Sequence, residues 1–507
     1  MSNTLSSNKQ IAKNAIFLYI RMFFTLLVSL YTVRIVIQTL SVQDYGIYGA
    51  VGGVILSFGF LSGVLTNASQ RFFSVELGKG KNGKLQEVFS TLFFTYIGLV
   101  ILVVVLVETF GLWFLQNKMT IPYGRESAAM WVYQFALLSF VITVLTSPYQ
   151  ALIIAYEKMN LYAYLSVLDV ILKLLIVYIL TAFDVDKLKL YAVLIFVTCL
   201  ITNSLYIIYC RKRYKETHLV LKIDRNTLKS IFSYSSWTLL GTIAGMCNTQ
   251  GMNIILNVFF GPVANAAYSI SSQIYNTVAM FANNFFVAVK PALIKNYSAG
   301  NYEYVSKLFY FSSKAIFLLL YVVILPIIIN TEEILQIWLG TVGDYMVTFV
   351  QLSLIYTIIL IVSYPITAVV QARGNVKLYH GLVDGFSLLA LPIMYILFKL
   401  NFSASSAYIV SIVVFGIAHS LRLYVLKKVS PQFNIHNYLW HFVAPSLLVA
   451  FISFLIMYYI KILMPCGWTE VLSTSILSIL ISLILGILIV LSKSDRKMLL
   501  NIINKKR

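Results

Sequence analysis

Charge is scarce in this chain of 507 residues: Asp, Glu, Lys and Arg together make up 11%, and only 18 residues are acidic. Soluble domains carry about a quarter, so a water-exposed surface of ordinary size is excluded. Cysteine is scarce too, four in all. Cys199, Cys210 and Cys247 lie in or beside apolar stretches and Cys466 alone lies in a loop, so no disulfide is expected. No Cys/His spacing matches a metal site, and no GxxxxGK[ST] nucleotide loop occurs. No nucleophile–base set stands out either. The expectation is a protein that is not an enzyme and has no cofactor and no metal.

What the chain has is apolar length. Hydrophobic residues make up 60% and the mean hydropathy is +0.85. About 20 apolar residues cross the ~30 Å hydrocarbon layer, and fourteen windows of that kind recur: 15–37, 47–70, 88–110, 128–155, 162–181, 188–209, 231–258, 263–289, 308–329, 346–370, 378–398, 404–425, 438–460 and 471–491. Charge, Pro or Gly bounds each one, and no segment between them could form a soluble domain. Lys9 and Lys13 precede the first window, which is too long for a signal-peptide core and lacks a small-x-small cleavage site, so it is expected to be retained. The fold class predicted is an all-α polytopic membrane protein of about 14 transmembrane helices.

The basic residues orient those helices. With both termini cytoplasmic, 28 of the 38 Lys and Arg fall in inner segments and six in outer loops. That asymmetry follows the positive-inside rule. The net charge of +20 therefore needs no nucleic acid; runs such as Arg211-Lys212-Arg213 sit where anionic headgroups hold them.

Several polar residues lie inside the windows, where each is costly. Arg21 and Arg34 interrupt the first, NAIFLYIRMFFTLLVSLYTVRIVI. At 100° per residue Asn14, Arg21, Thr25 and Thr32 share a narrow face, which makes Arg21 the cavity candidate, while Arg34 can snorkel. Windows seven and eight carry Asn248, Gln250, Asn253, Gln273, Asn276, Asn283 and Asn284. Single amides commonly glue helices together; as a group they are expected partly to line a cavity, with Asn248, Asn253, Gln273 and Asn276 the substrate-binding candidates beside Arg21 and Arg34. Asp169 and Lys173 stand four apart and read as a neutralising pair, and His380 stands four before Asp384, where a proton can be exchanged. Glu108 and Lys314 are expected to reach headgroups from span ends. Gly49/Gly53, Gly59/Gly63 and Gly241/Gly245 are small-xxx-small pairs, and Pro148, Pro365 and Pro392 interrupt windows.

A shift of 220 residues lays Tyr48 on Tyr268, Gly80 on Gly300 and Phe89 on Phe309, with Arg71 and Lys290 at corresponding inner ends. Pro148, Ala151 and Asp169 likewise resemble Pro365, Ala368 and Asp384. Six spans per half make the repeats parallel, a plan that suits alternating access. The domains expected are a first bundle at 1–210, a basic linker at 211–230, a second bundle at 231–426, and two added helices with a basic tail at 427–507.

The runs RIVIQTLSVQDYG (34–46) and ASQRFFSVELGKG (68–80), with Gly52-Gly53 between them, resemble the start of bacterial polysaccharide flippases of the multidrug/oligosaccharidyl-lipid/polysaccharide (MOP) superfamily. The resemblance implies two pseudo-symmetric six-helix bundles around a central cavity, in the bacterial inner membrane. It implies an undecaprenyl-pyrophosphate-linked oligosaccharide as cargo, for O-antigen, capsule or exopolysaccharide. Membrane lipids, a polysaccharide polymerase and chain-length regulators are the partners it suggests. The competing reading is a cation-coupled multidrug exporter of the same superfamily, whose cationic cargo calls for carboxylates in mid-membrane. A sugar-chain polymerase or ligase fits least, because the longest outer loop spans only roughly 330–345.

Overall fold

The structure is a computed structural model describing residues 2–40, 44, 47–48, 51–52, 55, 58–80, 83–117, 121, 123–183, 185–220, 225–339, 342–374, 376–464 and 468–496. Every regular element among them is helical. That is what a chain in hydrocarbon must do, since a helix satisfies its backbone polar groups within itself. Eleven helices among the described residues are long and apolar enough to cross a membrane. The other three predicted windows fall in α1 (Ser2–Leu40), on the segment ending in α2 (Gly59–Gly78), and in the first arm of α7 (Arg225–Ser298). Large apolar side chains such as Leu447, Phe451 and Leu472 face outward, as expected where the surrounding solvent is lipid.

The chain divides into two compact units, Lys13–Leu239 and Leu240–Arg507 with Met1–Ala12. In the first unit, α3 (Leu85–Asn117), α4 (Glu126–Ala155), α5 (Met159–Ala182) and α6 (Lys187–Arg213) follow α1 and α2. Helix α4 is the centre, packed on α2 and α6. Its Tyr149 meets Phe89 edge-on at 5.1 Å, and Phe89 stacks on Phe73 at 5.8 Å. Pro148 sits inside α4 without ending it. Buried hydroxyls find partners: Tyr96 contacts Ser69 Oγ at 2.8 Å and donates to the Leu65 carbonyl at 2.7 Å. Helix α3 loosens into a π turn at Val107–Gly111, and Tyr133 donates to the Val107 carbonyl there at 2.6 Å. A methyl on Gly111 would overlap that tyrosine hydroxyl, so the turn requires glycine. At the predicted outer end, Arg125 binds both Asp44 and Asp186, drawing three loops together.

The seventh and eighth windows form the two helical arms of α7, which meet at a kink at Gly261 with φ 71° and ψ −165°. Only glycine adopts that backbone without strain. Then come α8 (Tyr302–Ile329), short α9 (Thr331–Leu339), α10 (Met346–Arg373), α11 (Lys377–Lys399), α12 (Ser406–Val429), α13 (Ile435–Leu463) and α14 (Trp468–Leu485). Pro365 begins the second piece of α10 and Pro392 the last piece of α11, each just after a break in the helix. Helices α13 and α14 pack along α8 through a column of polar contacts. Tyr321 donates to the Ala450 carbonyl at 2.8 Å, Thr474 to Asn330 Oδ1 at 3.0 Å, and Lys461 pairs with Glu333 at 2.6 Å. Lys314 closes the column: instead of reaching headgroups it binds Asp495 at 2.8 Å, the lysine side chain only 7% exposed. Glu108, expected at headgroups too, accepts from Gln134 at 3.4 Å.

Burial works to raise the Asp495 carboxyl, but hydrogen bonds from Lys314 and Ser492 outweigh it and hold the group below the ordinary aspartate range. A depressed carboxyl stabilises the fold above the unfolded value, and that contribution disappears as pH falls through the folded one. Removing one partner of a buried pair costs roughly 3–5 kcal/mol. Lys314→Ala is therefore expected to lower the melting temperature of the purified protein, with Lys314→Ala/Asp495→Ala recovering part of the loss. Melting scans below about pH 4 should show wild type losing stability that Asp495→Asn has already given up.

Candidate functional site

Two polar clusters stand inside the apolar spans, one in each unit. In the first unit α1 places Arg21 against α5. Its Nη1 donates to Ser166 Oγ at 3.5 Å, and the guanidinium lies 5.0 Å from the Tyr162 ring centre. Tyr206 of α6 hydrogen-bonds Ser166 and lies within the field of Arg21 and Asp169. Tyr162, Ser166, Asp169 and Lys173 follow at helical spacing along one face of α5. Asp169 and Lys173 form the expected pair at 2.7 Å. The polar seam continues through α6 and α4: Asn203 Nδ2 lies 3.3 Å from Cys199 Sγ, and Gln150 donates to Asn203 at 3.3 Å. A guanidinium costs about 2.5–3.5 kcal/mol at mid-membrane, and a desolvated aromatic face returns about 2 kcal/mol.

The other residues on the Arg21 face are structural. Asn14 is buried and donates to the Glu157 carbonyl at 2.9 Å, while Thr25 and Thr32 bond back to their own helix. The side chain of Arg34 lies outside the described residues, as do Gly49 and Gly53.

In the second unit both arms of α7, with α10, α11 and α12, enclose a cavity of about 360 Å³. Asn248, Gln250, Asn253 and Asn276 line it with Tyr268, Tyr275, Tyr356 and Tyr408. Tyr268 donates to the Thr249 carbonyl at 2.9 Å, which joins the two arms, and Tyr408 meets Ser271 at 2.6 Å. Asn248 donates to the Ala244 carbonyl at 3.1 Å and to Ser387 Oγ at 3.2 Å. Its Oδ1, like that of Asn253, is buried with no hydrogen-bond partner among the described residues. Gln273 and Asn283 are exposed and Asn284 is buried; none of these three lines the cavity.

Beside the cavity, α11 opens into a π turn at His380–Asp384. His380 Nδ1 lies 2.6 Å from Asp384 Oδ2, and His380 Nε2 is buried without a partner among the described residues. Ser387, the hydroxyl partner of Asn248, donates to the main-chain carbonyl of Asp384 at 2.7 Å. Next to it Arg422, assigned from sequence only to topology, is buried and donates from Nε to Tyr379 at 3.1 Å. His419 meets Ser363 at 2.9 Å. A methyl on Gly241 would overlap both His380 Nδ1 and Asp384 Oδ2. Gly59, Gly63 and Gly245, also predicted close-approach points, have open space around them.

Neither the tyrosines of the cavity nor the Tyr162–Ser166–Tyr206 setting of Arg21 was singled out from sequence. The seven-residue spacing of Tyr268 and Tyr275 was the available signal.

No family model matches the sequence, and no curated protein matches it. Solved structures do match in fold. A mutant of a MATE transporter superposes with a TM-score of 0.71 over 84% of this chain and 96% of that one, at 13% identity. A Vibrio cholerae MATE transporter mutant gives 0.67 over 86% and 99%, at 15%. A MOP superfamily transporter from Pyrococcus furiosus, described as having a binding pocket of reverse polarity that suggests a different function, gives 0.68 over 84% and 96%, at 15%. The chain thus has a MATE-like fold.

Overpacking a close contact costs about 1–3 kcal/mol. Gly241→Ala is expected to destabilise the purified protein by that amount in melting scans. On a His380→Ala/Asp384→Ala background the same glycine substitution should cost little, because the added methyl then has room on both sides.

Proposed function

We propose that the protein is a flippase that carries a lipid-linked oligosaccharide through its diphosphate and sugars from the inner to the outer leaflet of the bacterial inner membrane by alternating access. One observation carries this reading: among the described residues, the second-unit cavity is lined by amides, hydroxyls and aromatic rings with no acid or base. An exporter of organic cations needs mid-membrane carboxylates, and the two within the bundles, Asp169 and Asp384, are engaged by Lys173 and His380. Arg21 supplies the cationic element that a diphosphate calls for. Desolvating a dianion in crossing costs tens of kcal/mol by idealised Born estimates, so fixed cations and amides are the chemistry such a carrier needs. The membrane potential, inside negative, assists outward movement by ~2.3 kcal/mol per charge per 100 mV. The reverse-polarity neighbour supports the view that this fold does not dictate the charge of its cargo.

The test is genetic and chemical. Deleting the gene in its host should cause undecaprenyl-linked oligosaccharide to accumulate in lipid extracts, with loss of surface polysaccharide. Wild type should restore both, Arg21→Ala should not, and Arg21→Lys should do so in part. Normal surface glycan with heightened sensitivity to cationic drugs would overturn the proposal in favour of the exporter.

A further inference from the structure

We infer that the cavity of the second unit seats an uncharged sugar ring of the cargo and discriminates against acidic sugars at that position. This rests on the flippase reading and deepens it. The argument begins with the hydrogen-bonding groups left over. The Oδ1 atoms of Asn248 and Asn253 are buried and unpartnered among the described residues, and leaving such a bond unmade is costly. Both are acceptors, so they call for a ligand that donates.

A phosphate or carboxylate donates nothing. An acidic sugar would bring its charge against two vacant carbonyl oxygens, with no Lys or Arg in the lining to meet it. A buried unpaired charge is far more costly than a buried hydroxyl. An organic cation finds acceptors but no carboxylate, since Asp384 already holds His380. A sugar hydroxyl both donates and accepts. Such a group can use the amide oxygens as acceptors and the NH₂ groups of Gln250 and Asn276, which also line the cavity, as donors.

Size and shape agree. A volume of about 360 Å³ lies at the small end of the ~300–1,000 Å³ range of ligand sites, suited to a sugar ring and not to a long lipid chain. The rings of Tyr275 and Tyr356, 6.1 Å apart and inclined at 38°, give the C–H face of a pyranose an apolar wall while the amides orient its hydroxyls.

The probe is a set of simple glycosides titrated by saturation-transfer NMR into the full chain in lipid nanodiscs. Methyl glucoside and methyl N-acetylglucosaminide should bind, and methyl glucuronide should bind at least ten-fold more weakly. Asn253→Leu and Asn276→Ala should each weaken the neutral glycosides by about ten-fold; Asn276 is exposed, so that variant keeps its fold. Lys307→Gln, which breaks a surface pair, should leave binding unchanged. Equal binding of glucuronide and glucoside, indifference of both cavity variants, or displacement of glycoside by tetraphenylphosphonium would overturn the inference. The gene deletion separates the two readings. If lipid-linked oligosaccharide accumulates and no neutral glycoside binds, the cavity assignment fails while the flippase stands. If no such lipid accumulates, the flippase reading has failed, whatever the glycosides do.

Discussion

The absence of water around the spans governs this structure. A polar group that turns away from lipid must find its partner inside the protein, because hydrocarbon offers none. The consequences run from the smallest contact to the largest. Tyr96 uses its hydroxyl twice, on Ser69 and the Leu65 carbonyl. Asn330 accepts from Thr474 and donates to Ser475 across 145 residues of chain. Lys314 and Asp495, 181 residues apart, neutralise one another. These contacts fasten α13 and α14 to α8, so the last two helices are an integral wall of their unit.

The same rule makes the exceptions informative. Among the buried polar atoms that have no partner among the described residues, two amide oxygens belong to residues lining one cavity, and an imidazole nitrogen, that of His380, belongs to the neighbouring helix α11. Ser387 bridges Asn248 of the cavity wall and the main chain of α11 at Asp384. Gly241 presses on the His380–Asp384 pair from α7.

Much of this was legible in sequence because lipid imposes a simple code. Span positions followed from apolar length, and the pairs Asp169–Lys173 and His380–Asp384 from their four-residue spacing. Asn248, Asn253 and Asn276 were picked out as rare amides, and they do line a cavity. What failed to show was of another kind. The partner of Lys314 could not be found by local spacing. Arg422 looked like a topological charge because it stands at a span end, and only packing shows it buried under Tyr379. Tyrosines are common in an apolar chain, so the four at the cavity carried no separate signal.

The π turn at His380–Asp384 has a bearing on how the two halves are related. A π turn holds one residue more than the helix around it, which rotates everything beyond it by about 100° relative to a regular helix. Asp169 lies in an uninterrupted α-helix, whereas Asp384 closes such a turn. The two pairs also run in opposite senses along their helices: Asp169 meets a base four residues ahead, and Asp384 a base four residues behind.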